Sequence, residues 1–253
     1  MGKKLPTIAI GVIGALFQTI PAVAGIVTIA PSKDNTLYQD PDGLYSNGLG
    51  SYVFVGTSAS DNIRRAVLEF DIAGNVPAGA TINSVSLTMH MSRCGPSCNT
   101  TTPVSMYRVQ QEWGEGASLA DGQEGIPDNA APGDATWLHT FFPDQYWNNP
   151  GGDFDPTASA TVNVRNIGFY TWNSTPQMVA DVQGWLNDDT SNHGWILIGD
   201  EVNSITAKRF DSKDNASFNL EPALTINYTE IPEPATILFV GAGMLAVVRI
   251  RRR

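Results

Sequence analysis

Apolar and polar residues alternate with a period of two over much of the chain between residues 52 and 228. Ala66, Leu68, Phe70 and Ile72 alternate with Val67, Glu69 and Asp71, and Val85, Leu87, Met89 and Met91 alternate with Ser84, Ser86, Thr88 and His90. Ala158, Ala160, Val162 and Val164 interleave with Ser159, Thr161, Asn163 and Arg165, and Leu224, Ile226 and Tyr228 repeat the pattern. Successive side chains of a strand point to opposite faces, so this patterning predicts strands with one face on a core and one in water. Tyr52-Val53-Phe54-Val55 and Trp195-Ile196-Leu197-Ile198 are continuous apolar runs that suit central strands covered on both faces. Stretches rich in Gly, Asn and Asp separate all of these, as in an antiparallel sandwich. One segment departs from the pattern. Thr175 stands as a helix N-cap with Pro176 at the first helical position, and Met178, Val182 and Trp185 recur at helical spacing until about Asn187. A single short amphipathic helix across an end of the sandwich follows. Residues 112–152, rich in glycine and proline, read as one elaborated loop.

The two ends of the chain follow other rules. Lys3-Lys4, an apolar stretch over residues 8–20 and Ala22-Val23-Ala24 have the three-part layout of a secretory signal peptide, with cleavage expected after Ala24. At the other end Pro232-Glu233-Pro234 precedes an apolar run over residues 235–248, then Arg249 and the cluster Arg251-Arg252-Arg253. The prolines remove backbone donors and break any sheet. As a helix the run measures ~21 Å, short of the ~30 Å hydrocarbon core, so it spans with help from Ile250 and snorkelling arginines. The arginines stay on the cytoplasmic side. Pro-Glu-Pro, an apolar helix and a terminal arginine cluster, in that order, resemble the PEP-CTERM sorting signal. That resemblance implies an exosortase-type membrane protease as partner and an inner-membrane-anchored intermediate in a Gram-negative bacterium, followed by display on the surface or in the matrix. The chain therefore divides into a signal peptide (1–24), a middle domain (25–230) and a sorting and anchor segment (231–253).

Charge sharpens the picture of the middle domain. It holds 24 acidic and 9 basic residues, a net of −15, against −10 for the whole chain. So acidic a surface repels nucleic acid and anionic lipid and favours cations or neutral partners.

This domain also resembles a family. Asp34-Asn35-Thr36, Ser46-Asn47-Gly48 with Gly50, and Arg65-Ala66-Val67-Leu68-Glu69-Phe70-Asp71 are similar to the opening of DNRLRE-type domains. Pro77-Ala78-Gly79-Ala80-Thr81-Ile82, Tyr107-Arg108-Val109 with Trp113-Gly114-Glu115, and Ala135-Thr136-Trp137 continue the pattern. Asp181-Val182-Gln183-Gly184-Trp185-Leu186, Asn192-His193-Gly194-Trp195, Lys208-Arg209-Phe210-Asp211-Ser212-Lys213-Asp214 and Pro222-Ala223-Leu224-Thr225-Ile226 complete it. Ser212-Lys213-Asp214 stands where the family often has Ser-Arg-Glu, which removes a bidentate arginine contact. The resemblance implies an all-β, jelly-roll-like antiparallel sandwich similar to carbohydrate-binding modules, in a polysaccharide-associated surface protein.

Few residues suggest chemistry. Cys94 and Cys98 flank Gly95-Pro96, and in an exported chain they make a disulfide at a hairpin end. A metal site with His90 would need a helix that Gly95-Pro96 forbids. Calcium takes six to eight oxygens, which Asp34, Asp40, Asp42 and Asn47 are candidates to supply, with Asp200, Glu201 and Asp211 as alternatives. Asp-Gly and Pro-Asp serve equally well as turn formers. Aromatic rings suit sugar faces: Trp113, Trp137, Tyr146 and Trp147 cluster in the loop-rich region. Trp113 and Trp137 are equally candidates for packing anchors, and Tyr146 and Trp147 are the two expected to be exposed. Catalytic signals are sparse, because His90, His139 and His193 are scattered and neither a Gly-x-Ser-x-Gly elbow nor His-Glu-x-x-His occurs. Glu115 with Asp134 is one carboxylate pair of the kind glycoside cleavage uses. The expectation is a non-catalytic exported protein that binds or organises extracellular polysaccharide; the alternatives are a structural or adhesion protein with protein partners, and a polysaccharide-cleaving enzyme.

Overall fold

The computed structural model describes residues 22–217 and 219–230. The signal-peptide reading over residues 1–21 and the sorting segment over 231–253 lie outside them. Among the described residues no helix is long and apolar enough to cross a membrane. The strands are β1 (Val23–Ile29), β2 (Lys33–Tyr38), β3 (Tyr45–Ser46), β4 (Tyr52–Thr57), β5 (Ile63–Glu69), β6 (Thr81–Cys94), β7 (Thr102–Val109) and β8 (Asp128–Asn129). They continue as β9 (His139–Phe141), β10 (Gln145–Tyr146), β11 (Phe154–Val164), β12 (Gly168–Trp172), β13 (Trp195–Ile198), β14 (Lys208–Asp211) and β15 (Ala223–Glu230). One α-helix, α1 (Pro176–Asn187), interrupts them. β1 begins at Val23, so cleavage after Ala24 leaves its last five residues attached to the domain.

Two mostly antiparallel layers form a β-sandwich. In the first, the 14-residue β6 pairs with β12 along one edge and with β15 and then β14 along the other; β1 lies beyond β15 and β4 beyond β14. The second layer runs β2-β5-β13-β7-β11. β4 joins them: Tyr52, Val53, Phe54 and Val55 pair with β14, then Gly56 and Thr57 pair with Arg64 and Ile63 of β5. The crossing needs glycine. Gly56 sits at φ +97°, and a Cβ there would meet the Thr206 carbonyl oxygen at 3.1 Å.

The alternation seen in the sequence sends Leu68, Leu87, Met89, Met106, Leu197 and Phe210 into the core between the sheets. The predicted helix is present with its predicted cap: Thr175 Oγ1 accepts the Met178 N–H at 3.0 Å. It packs against β6 of one sheet and β11 of the other, placing Met178, Val182 and Trp185 in the same core.

Residues 112–152 do more than connect. Leu37, Val67, Val109 and Ile196 project from the outer face of the second sheet and are covered by Trp113, Ala135, Trp137 and Trp147 from this segment, a second core. Val67 falls on the polar side of the alternation in its strand yet is fully buried, because the loop supplies the cover that water would otherwise take. This also accounts for the unbroken apolar run of β13, where Trp195 and Leu197 enter one core and Ile196 the other.

Cys94 ends β6 and bonds to Cys98 in the short 3-10 turn Pro96–Asn99, with the Cα atoms 4.9 Å apart. So short a closed loop contributes about 2 kcal/mol through the unfolded chain. Replacing both cysteines by serine should lower the unfolding free energy by that amount, read as a urea midpoint shifted by it divided by an unchanged m-value; a loss of more than about 4 kcal/mol would show that the bond holds more than its hairpin end.

Candidate functional site

Three of the four candidate sugar-stacking rings are structural. Trp113 is fully buried and its Nε1 donates to the His193 carbonyl at 2.9 Å; Trp137 is buried under the Arg65 guanidinium, 4.9 Å from its ring. Trp147, expected to be exposed, is 5% exposed, and its Nε1 donates to the Thr136 carbonyl at 3.0 Å. The Asn/Pro/Gly-rich loop around Trp147 folds back so that its indole fills the second core, where burying the ring outweighs leaving it in water. Tyr146, next to it, points out, 60% exposed, against the His139 ring at 4.3 Å.

The candidate calcium ligands do not meet as a group. Asp42 is exposed, and Asp40 caps its own turn by accepting the Leu44 N–H at 3.0 Å. Asn47 is buried and engaged on both sides, its Nδ2 donating to Glu124 at 2.9 Å and its Oδ1 accepting the Ala120 N–H at 2.8 Å. Asp200 binds Asn203, Glu201 pairs with Arg65, and Asp211 meets His90 Nδ1 at 2.6 Å. Asp34 instead converges with Glu115 and Asp214, one carboxylate oxygen of each lying within 4.8 Å of the others. The chain brings its own cation there. Lys213 Nζ lies 3.1 Å from Glu115 and 3.0 Å from Asp214, and the Lys213 N–H donates to Asp34 at 2.8 Å. Burial pushes the Asp34 carboxyl up to about 8; the Lys213 amide opposes this, while Glu115 and Asp214 add to it.

The carboxylate pair Glu115 and Asp134 serves the backbone. Asp134 is fully buried and accepts the N–H groups of Ala117 and Ala131, at 2.8 and 2.6 Å, while Glu115 accepts the Asp34 N–H at 2.9 Å. A cleft of about 550 Å³ elsewhere is lined by Glu69, Asp71, Glu112 and Asp189 with Lys33 and His193. Burial raises Glu69 and lowers His193 from their ordinary values.

The feature that sequence reasoning missed is a pair of adjoining hollows. One, of about 440 Å³, has Tyr45, Ile126 and Pro127 on its walls; the other, of about 310 Å³, has Arg93, Arg209 and Phe54. Both are lined by Ser58, Ala59, Arg64 and Gly125, and the Arg64 Nη2 donates to the Gly125 carbonyl at 2.7 Å between them. Tyr45 is 38% exposed and Ile126 84% exposed. The residues come from β3, β4, β5, β6, β14 and the 112–152 loop, so no local motif marks them; the one sequence signal is that basic residues are scarce.

Comparison with known proteins speaks to the tail. Residues 230–253 match the PEP-CTERM protein-sorting motif. The Pro-Glu-Pro, apolar and arginine parts thus belong to a PEP-CTERM signal, which marks an exported protein with a membrane-anchored intermediate, processed by an exosortase, a membrane protease. No curated protein matches the chain. The disulfide Cys94–Cys98 fits the oxidising compartment to which a PEP-CTERM protein is sent.

Proposed function

We propose that the domain is a non-catalytic cell-surface or matrix module of a Gram-negative bacterium that binds or organises extracellular polysaccharide, in the manner of the DNRLRE-type, carbohydrate-binding-module-like domains it resembles. The observation that carries this reading is the pair of adjoining hollows. Together they give a long, shallow, open site with an accessible tyrosine ring, an apolar rim and hydrogen-bond donors, which suits a chain of sugars better than a small molecule. Export delivers the site to where such polymers are. Glu115 and Asp134, the carboxylate pair weighed for cleavage, are spent on backbone amides and on Lys213, which favours binding over cleavage at that pair. Calcium enters the proposal as a structural ion at Asp34, Glu115 and Asp214, where it would take over the charge that Lys213 now balances.

Affinity electrophoresis of the full chain in detergent, through gels holding neutral and acidic polysaccharides, tests the reading with and without millimolar calcium. Retention is expected, and Tyr45→Ala should weaken it about tenfold, the ~1.4 kcal/mol of one lost ring contact. Free passage through every gel, in both conditions, rules the reading out; release of reducing ends would turn it into an enzyme.

A further inference from the structure

Resting on that reading, we infer that the arginine-lined hollow is an anion site, so that the polysaccharide held is one bearing carboxylate or sulfate groups on its sugars. The distribution of charge is the first ground. The middle domain has 9 basic residues against 24 acidic, yet Arg64, Arg93 and Arg209 line a single hollow of about 310 Å³. Like charges gathered in one place repel, and a fold with so many carboxylates had every means to neutralise them.

It does neutralise others. Lys33 pairs with Glu69, Lys213 with Glu115 and Asp214, and Arg65 grips Glu201 through two bonds of 2.7 and 2.9 Å. Arg64, Arg93 and Arg209 make no ion pair among the described residues. Two of them are instead held by neutral acceptors. Arg64 Nη2 donates to the Gly125 carbonyl, Arg209 Nε to Ser92 Oγ at 3.1 Å, and Arg209 Nη1 to Gln123 Oε1 at 2.9 Å. Their planes lie on rings, Arg209 3.6 Å from the Tyr52 centroid and Arg64 5.1 Å from that of Phe54.

Such contacts fix the orientation of a guanidinium without a direct ion pair, and the Asp211 and Glu124 carboxylates act on Arg209 only from beyond contact. Arg64 Nη1 and Arg209 Nη2 donate to no acceptor among the described residues, and Arg93 is exposed. Burial lowers Arg64 and Arg209 from the ordinary arginine value, the mark of desolvated positive charge.

Preoriented, unpaired guanidinium forks are what a planar carboxylate or a sulfate binds best. The hollow is at the small end of ligand sites, ~300 Å³, room for one charged sugar. The Tyr45 hollow beside it takes the next ring of the same polymer. The excess of acidic residues in the rest of the domain then helps set the register, because an anionic chain is attracted most where the arginines gather.

The full chain in detergent is titrated with fragments of polygalacturonate (carboxylate), dextran sulfate (sulfate) and plain dextran (neutral). Polygalacturonate, dextran sulfate or both should bind at least about fivefold tighter than dextran, and binding should weaken steeply with salt. Arg93→Gln, on an exposed side chain whose loss leaves the fold intact, should weaken acidic-glycan binding about fivefold or more. Arg108→Gln, in a separate hollow lined by Asp155 and His193, should leave it unchanged. If dextran binds as tightly as the charged polymers and responds to Tyr45→Ala alone, the anion site is refuted while polysaccharide binding stands. Acidic glycans bound with full strength by Arg93→Gln refute it as well, by placing the site elsewhere. Binding of none of the three overturns both readings, and binding of phosphatidylglycerol vesicles in their place, lost in Arg93→Gln, would reassign the hollow to lipid headgroups.

Discussion

Trp195→Ala should lower the melting temperature of the domain by about 10–20 °C. Trp195 is fully buried on β13, its ring 4.6 Å from Trp185 of the helix and 6.1 Å from Phe70, and its Nε1 donates to Asp181 Oδ2 at 2.9 Å. Removing a large core aromatic costs about 3–5 kcal/mol through lost transfer and the cavity left behind. The buried Asp181 then loses one of its donors, keeping Ser159 Oγ at 2.5 Å and Gln177 Nε2 at 3.0 Å, which adds about 1–3 kcal/mol. A total near 5 kcal/mol corresponds to that temperature shift for a domain of this size, at about 2–4 °C per kcal/mol. Trp195→Phe keeps most of the packing and loses the donor, so it should cost about 1–3 kcal/mol. Calorimetry decides: a loss below about 2 kcal/mol for the alanine variant would mean that helix and sheets do not share one core.

The second large effect is on pH dependence. The Asp34 carboxyl is pushed up to about 8 in the folded domain and stands at 3.8 when unconstrained. Between these values the folded state holds a proton that the unfolded state has released, so stability falls as pH rises. The contribution of Asp34 is whole below pH 4 and is lost as pH passes 8, at a slope of at most about 1.4 kcal/mol per pH unit. Burial raises Glu69, Glu115 and Asp134 too, giving slopes of the same sign. Asp34→Asn isolates the term. Its amide oxygen still accepts the Lys213 N–H, so the variant should match the wild type near pH 3 and exceed it increasingly above pH 4, by several kcal/mol at pH 8.5. Urea midpoints at both values measure the difference. Parallel curves for the two proteins would place the Asp34 side chain in contact with water.

Much of the sandwich was legible because strand faces are written in residue order. The alternation at Leu68, Leu87 and Leu224 and the cap at Thr175 with Pro176 are local signals, and the structure honours them. What sequence order does not carry is the loop layer. Trp113, Trp137 and Trp147 have the composition of a sugar platform, and their burial follows from Val67, Val109 and Ile196 awaiting cover on the far side of a sheet. The calcium candidates fail to assemble for a related reason: Asp34 meets Glu115 and Asp214, 81 and 180 positions away, while neighbours in sequence such as Asp40 close their own turns. The three arginines are farther still from being a motif. They come from separate strands, and net charge, which is strongly negative, points the other way.

The loop layer has a dynamic consequence. β5 and β13 lie beneath cover on both sides, whereas residues 112–152 are outermost, packed on the second sheet and tied to β4 and β14 of the first through Glu124 and Gln123, so the layer can lift as a unit while the inner strands stay protected from amide exchange. Gln123 and Gly125, which hold Arg209 and Arg64 from that layer, lift with it. Occupancy of the hollow and the residence time of the layer on the sheet are thereby one equilibrium, and a guest polymer would act as a latch on a flap.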